Sequence, residues 1–360
     1  MSRRQWIGRS VVPVLLPLAG CRDESLPLGE QNEEASVLLS TSHPAMGTDF
    51  TIRAWTEPSQ QARLIACFNQ VTERIDALHA SFSDYRPDSE LNALARAPVE
   101  KPLTVSPDLF AIFERAAALF EKTGGAFDIT AGPITRLWRL AKKSGKLPDE
   151  SMRERALERT GFHHLSLDPE SSRITKHQSG MLFDLGGIAK GYGADAALAL
   201  LSDEGFSQTL IAASGDIVAG ESPPGAEGWR IGLETLDLSK ETSDLPTLEL
   251  QRAAVSTSGD SRQFVEIDGT RYSHIVSTKT GLGLTERIAA TVLARDGMTS
   301  DSHATAVTLL GKNDGLQFIR NQRGIECRVA ELIDGVEVFT STDGFTDIQT
   351  PEKETPLAAP

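Results

Sequence analysis

Cysteine, tyrosine and basic clusters are scarce in this chain. Its 360 residues include three cysteines and three tyrosines. No Cys-x-x-Cys pair or histidine-rich spacing points to zinc. Cys67 and Cys327 each sit in an apolar-patterned stretch, Ile65-Ala-Cys-Phe68 and Ile325-Glu-Cys-Arg-Val329. They are expected as core residues rather than as a disulfide. The formal net charge is −14, with no long basic block to offset it. Such a field disfavours nucleic acid and anionic membrane surfaces as partners. The apolar run near the N-terminus is too short to span a bilayer, and no internal repeat stands out.

That apolar run belongs to a targeting segment. Arg3-Arg4 precede Val11-Val-Pro-Val-Leu-Leu-Pro-Leu18, and Leu18-Ala-Gly-Cys21 resembles a bacterial lipobox. The resemblance implies export, with Cys21 as the lipidated first residue of the mature protein. Ser2-Arg-Arg-Gln-Trp6 also resembles a twin-arginine signal. The chain is therefore expected to divide into a signal segment (1–21), a flexible glutamate-bearing tether (22–42), one domain (43–348) and a disordered tail (349–360).

Within the domain, residues 50–55 alternate as a strand, and residues 60–79 carry apolar groups at helical spacing. Residues 106–122 read as a second amphipathic helix with Ser106 as N-cap. Later stretches read mostly as strands: 209–213, 229–233, 248–256, 264–267, 271–276 and 288–294. Asp268-Gly269 is a hairpin turn by its chemistry. Residues 301–310 read as a helix stopped by Gly311. Helices and hairpins without βαβ alternation predict an α+β fold, a mostly antiparallel sheet with packed helices in a single domain.

Three stretches carry chemistry. In Asp184-Leu-Gly-Gly-Ile-Ala-Lys-Gly191 an apolar run, a glycine pair and a helix start bring bare N–H groups to where an anion can reach them. Lys190 in the first helical turn opposes the helix dipole, a penalty that an anionic ligand reverses. The bland reading is a βα turn with a solvated lysine. In Asp301-Ser-His-Ala-Thr305, residues four apart share a helical face. The carboxylate and hydroxyl suit a hard cation such as Mg²⁺. The alternative is a helix start with a back-bonded threonine. In Tyr272-Ser-His-Ile275, His274 ends a strand beside a glycine-containing loop, a place suited to a base. A lone histidine can equally be structural. Ser214-Gly-Asp-Ile217 and Thr257-Ser-Gly-Asp260 are small-residue turns that either cradle phosphate or merely turn the chain.

Taken in order, Ala45-Met-Gly-Thr48, Phe82-Ser-Asp-Tyr85, Gly125-Ala-Phe-Asp128, the Asp184–Gly191 stretch, Thr257-Ser-Gly259, Ser273-His-Ile275 and Asp301-x-x-x-Thr305 resemble the FAD:protein FMN transferase (ApbE) family. The resemblance covers about residues 43–345. It implies a Mg²⁺-dependent enzyme that cleaves FAD, attaches FMN to a threonine of a target protein and releases AMP. By motif, Met46, Tyr85, Ala126, Phe127, Asp128, Asp184, Lys190 and Ile275 are expected to contact FAD. Gly187, through its carbonyl, with Asp301 and Thr305 is expected to hold Mg²⁺, and His274 to act as base. Expected partners are exported redox-complex subunits or FMN-binding proteins bearing an acceptor threonine, met from a periplasm-facing lipid anchor. Two departures stand out. Ser277-Thr278 replaces the family's usual Asp-Pro, and Ala213-Ser-Gly-Asp216 stands where Gly-Gly-Asp is common. Two alternatives use the same residues: an FAD pyrophosphatase with water as acceptor, and a lipoprotein that binds FAD without chemistry.

Overall fold

A computed structural model of the chain describes residues 36–237, 245–259 and 263–345. The expected signal segment with Cys21, residues 22–35 of the expected tether, the tail and Asp260 lie outside the described residues. The first half runs β1 (Val37–Ala45), β2 (Thr48–Thr56), α1 (Gln61–Phe82), α2 (Glu90–Arg96), β3 (Leu103–Thr104), α3 (Pro107–Lys122), α4 (Gly132–Ser144) and α5 (Glu150–Leu157). Next come β4 (Leu165–Asp168), β5 (Arg173–Lys176), α6 (Ala189–Asp203), β6 (Thr209–Ala213), β7 (Asp216–Ala219), β8 (Trp229–Gly232) and β9 (Thr247–Leu250). The chain then forms β10 (Ala253–Gly259), β11 (Phe264–Ile267), β12 (Thr270–Ser273), β13 (Ile288–Ala294), α7 (Gly297–Leu310), α8 (Lys312–Arg320), β14 (Glu326–Ile333) and β15 (Val336–Ser341).

The main sheet has eight strands in the order β1-β2-β6-β7-β10-β13-β14-β15, so its spatial order is its chain order. Every adjacent pair is antiparallel. The α+β fold with an antiparallel sheet is thus what the chain adopts. Phe50, Ile52 and Ala54 alternate inward from β2 and meet Leu64, Phe68, Val71 and Ile75 of α1 and Ala194, Ala197 and Leu201 of α6. Burying each large apolar side chain contributes about 1.5–3 kcal/mol. On the other face, Leu210, Ala212, Ile217 and Ala219 are covered by Trp229, Ile231, Leu248 and Leu250 of the β8–β9 hairpin. With helices on one face and a hairpin on the other, β6 is buried along its whole length. Cys67 and Cys327 are free and buried in the core, as their neighbours imply. Among the described residues, no helix is long and apolar enough to cross a membrane.

The structure corrects four local expectations. Strand β1 pairs with β2 from Val37 onward, so residues 37–42 belong to the domain and not to a tether. β1 is an edge strand with Pro44 and few large apolar groups, which weakens its alternation. The expected strand 248–256 is two strands, broken at Arg252, whose φ is 46°. Helix α7 starts at Gly297, not Asp301, because the Asp296 carboxylate accepts the Thr299 N–H at 2.8 Å. β12 ends at Ser273, so His274 stands just beyond the strand.

Candidate active site

The N-terminal turns of α6 and α7 cross at two glycines. A Cβ on Gly191 would lie 2.0 Å from the Gly297 carbonyl oxygen. Only hydrogen fits there, so the two backbones touch. Asp195 of α6 fixes the crossing by accepting the Gly297 and Met298 N–H groups at 2.7 and 2.8 Å. Across the contact, the Gly191 N–H donates to Asp301 Oδ2 at 3.0 Å. Lys190 Nζ lies 3.0 Å from Asp216 Oδ2 and 3.5 Å from Asp301 Oδ2, and donates to the Gly186 carbonyl at 3.1 Å. This lysine is not the solvated residue of a plain turn. Burial works against its charge, but the Asp216 and Asp301 carboxylates outweigh that and hold its pKa above the usual lysine value. Burial, then repulsion by Asp216, pushes the Asp301 carboxyl up, with Lys190 and the Gly191 N–H pulling it back.

Thr305 sits one helical turn after Asp301. Its hydroxyl donates to Ser258 Oγ at 3.4 Å, in place of the expected back-bond at a helix start. The turn at Gly187 presses against it: a Cβ there would meet Thr305 Oγ1 at 2.9 Å. Gly187 is therefore a glycine by necessity of close approach. Among the described residues no trio of His, Cys, Asp or Glu stands ready for a metal. A cation here would take hydroxyl and carbonyl oxygens beside the carboxylate, a hard all-oxygen set.

These groups line one cavity of about 480 Å³. The cavity also gathers Tyr85, Ala126, Phe127, Asp128, Asp184, His274 and Ile275. The expected contacts thus converge, except Met46, which does not line it. Met46 begins the β1–β2 turn with φ 49°, its N–H donates to His79 Nδ1 at 2.7 Å, and its side chain packs toward α6 near Gly193. The hairpin turn faces the core there, not the cavity.

His274 Nδ1 lies 3.1 Å from the Gln263 carbonyl oxygen, so Nδ1 is the donor in that bond and, in the neutral ring, Nε2 is the acceptor nitrogen. Its loop is held from below. Trp138 Nε1 donates to the Ser273 carbonyl at 3.1 Å, and Thr278 Oγ1 donates to the Gly125 carbonyl at 2.9 Å. Thr278, one of the departures from the family pattern, ties the histidine loop to the Ala126–Asp128 wall. Ser214, at the other departure, takes φ 60°, a left-handed conformation that glycine adopts without strain. Asp128 accepts the Thr130 N–H and hydroxyl at 2.8 and 2.7 Å, yet burial still pushes its pKa up to about 6.

The sequence reading missed Arg139, Lys142 and Asp216 as site residues. All three line the cavity. Arg139 pairs with Asp84 and with Asp184, the latter at 2.9 Å. Burial pushes the Asp84 carboxyl up against the pull of the Arg139 bond. Burial, then repulsion from Arg139, lowers the Lys142 pKa. The available signal was helical spacing: Thr135, Trp138, Arg139 and Lys142 share one face of α4.

The family model of the ApbE family matches residues 46–329. A FAD:protein FMN transferase from Vibrio cholerae serotype O1 is 29% identical over 349 residues, 96% of each chain. The one from Treponema pallidum is 29% identical over 303 residues, covering 80% of this chain and 83% of its own. The solved flavin transferase ApbE from Vibrio cholerae superposes with a TM-score of 0.76 at 26% identity, covering 86% of this chain and 98% of that one.

Proposed function

Because this chain belongs to the ApbE family and is an FAD:protein FMN transferase, we propose that its cavity takes FAD and passes the FMN half to a threonine hydroxyl of a second protein. The observation that carries this reading is the convergence of Lys190, Asp301, Thr305 and His274 on one cavity. The threonine oxygen attacks the FMN-side phosphorus, a new P–O ester bond forms, and the bond to the AMP phosphate breaks. The threonine proton goes to His274 Nε2, since a neutral hydroxyl is a poor nucleophile. AMP leaves with the electron pair of the broken bond.

The residues present fit Mg²⁺. Asp301, Thr305 and the Gly187 carbonyl would hold it, and Lys190 already seats an ammonium against two carboxylates at that place. When bound, the ion supplies charge neutralisation at the pyrophosphate. Lys190 adds to that neutralisation, and Asp216 keeps the lysine in place. Ala126, Phe127 and Ile275 are buried and exclude water from the site.

The polypeptide acceptor separates this reading from FAD hydrolysis. Incubation with FAD and Mg²⁺, with and without a candidate acceptor, tests it. Covalent FMN on the acceptor with AMP in solution supports transfer; free FMN at an equal rate in both mixtures refutes it. We further propose that the protein is exported and held by a lipid on Cys21, where exported redox subunits or FMN-binding proteins would present the acceptor threonine. The support is the Leu18-Ala-Gly-Cys21 pattern. Cys21→Ser should leave the membrane fraction or stall in processing, whereas an unprocessed, soluble wild type would contradict the anchor.

A further inference from the structure

Arg139 is a cation in the cavity that the transfer chemistry does not use. It rises from α4, with its side chain 37% exposed. One end of its guanidinium donates to Asp84 and the other to Asp184, at 2.9 Å for the latter. Its central carbon stands 4.6 Å from the centroid of the Tyr85 ring. Asp84 and Tyr85 lie on the loop between α1 and α2. That loop is braced from within by the Asn92 amide, which donates to the carbonyls of Ser83, Asp84 and Arg86 at 3.3, 3.0 and 2.8 Å. Arg139 thus joins three separate pieces: the Tyr85 loop, α4 and the Asp184 turn.

Stability alone does not account for this arrangement. These partly buried ion pairs also brace the fold. Tyr85, meanwhile, is 75% exposed while lining the cavity. It is an aromatic ring held by a cation rather than packed into the core. A guanidinium gripped at both ends is a flat, rigid plate, which an ammonium cannot imitate. Paired so, it also neutralises two carboxylates that would otherwise repel a pyrophosphate entering the cavity.

We propose that Arg139 is a positioning residue of this cavity: clamped by Asp84 and Asp184, it fixes Tyr85 as a preformed stacking wall for a planar heteroaromatic ring of the dinucleotide. The inference rests on the reading of FAD as substrate. FAD carries two such rings, the flavin and the adenine, and both offer the same stacking chemistry. Arg139 acts through Tyr85 and Asp184 on binding and moves no proton, so it is a positioning residue.

The test uses the full chain. FAD affinity is measured by flavin fluorescence, and FMN and AMP are titrated separately as the two halves. Single-turnover FAD cleavage is followed at saturating FAD, and thermal stability is recorded for every variant. Arg139→Ala should weaken FAD binding ~10-fold, within the range of one ring stack. Cleavage at saturation should stay within about twofold of wild type, the signature of a binding role. Arg139→Lys, which keeps the charge but not the plate, should recover less than half of the loss. Tyr85→Leu should match Arg139→Ala, and the double variant should be no worse than either. The loss should fall on FMN or on AMP alone, which identifies the stacked ring. Unchanged FAD affinity in Arg139→Ala overturns the inference, as does full rescue by Arg139→Lys or an equal loss on both halves. A wild type that binds no FAD would instead overturn the substrate reading itself.

Discussion

Gly191→Ala tests the geometry on which the site depends. The added methyl would stand 2.0 Å from the Gly297 carbonyl oxygen, 2.4 Å from its carbon and 2.9 Å from Asp301 Cβ. The first two neighbours are backbone, so no rotamer change relieves the clash. The helices α6 and α7 must separate by more than an ångström to restore ordinary contact. Overpacking of this kind costs about 1–3 kcal/mol. Separation also breaks the bond from the Gly191 N–H to Asp301, and hydrogen bonds to charged groups contribute about 1.5–3 kcal/mol. The expected loss is therefore about 3–5 kcal/mol, a fall in Tm of roughly 10 °C at ~2–4 °C per kcal/mol. Lys190 and Asp301 move apart with the helices, so FAD cleavage should fall even where the protein stays folded. Gly232→Ala is the control, because the nearest atom to its Cβ would be 3.7 Å away. Urea unfolding and calorimetry of both variants, with FAD turnover, provide the comparison. Wild-type stability and turnover in Gly191→Ala would refute the close crossing and the placement of Asp301 that follows from it.

Three further outcomes follow from the same structure. Asp301→Ala removes the one anionic ligand of the proposed Mg²⁺ set and should abolish metal-dependent FAD cleavage, with Mg²⁺ binding by calorimetry lost in parallel; full activity in EDTA would contradict this. His274→Ala should lose transfer by about 10²–10⁴-fold with FAD affinity retained, as expected of a general base; near-normal transfer at saturating FAD would remove His274 from that role. The Asp128 pKa is raised from 3.8 to about 6 by burial, so the folded chain binds this proton more tightly than the unfolded chain. The stability it contributes is complete below about pH 4 and is lost as pH rises through about 6. Asp128→Asn should flatten that part of the slope in urea titrations, and an unchanged slope would show that the carboxyl is not so perturbed.

The fold class was legible because the pattern of elements carries it. Hairpin turns such as Asp268-Gly269 and the absence of βαβ alternation already require an antiparallel sheet. Local chemistry also placed Ser106, whose hydroxyl accepts the Leu109 N–H at 3.3 Å. Strand β1 escaped because an edge strand buries little and so leaves a weak alternation. In the site, Asp301, Thr305 and Lys190 were legible because their spacing and their conflict with the helix dipole are local facts. Arg139 was not. Its partners lie 55 and 45 residues away in sequence, and no local pattern announces a pairing that only the fold creates. Asp216 could be read only as part of a turn until Lys190 was placed 3.0 Å from it. Met46 stands apart from the other motif residues: it lies in the matching motif but packs near Gly193 of α6 and does not line the cavity.

The central claim is that one cavity moves FMN onto a threonine of another protein. The most direct measurement is intact-protein mass spectrometry of an exported FMN-binding acceptor after incubation with this protein, FAD and Mg²⁺, with AMP quantified in the same sample. The account predicts one FMN adduct on a threonine, AMP released in equal amount, and neither product with Asp301→Ala. An unmodified acceptor beside full release of FMN and AMP would contradict it.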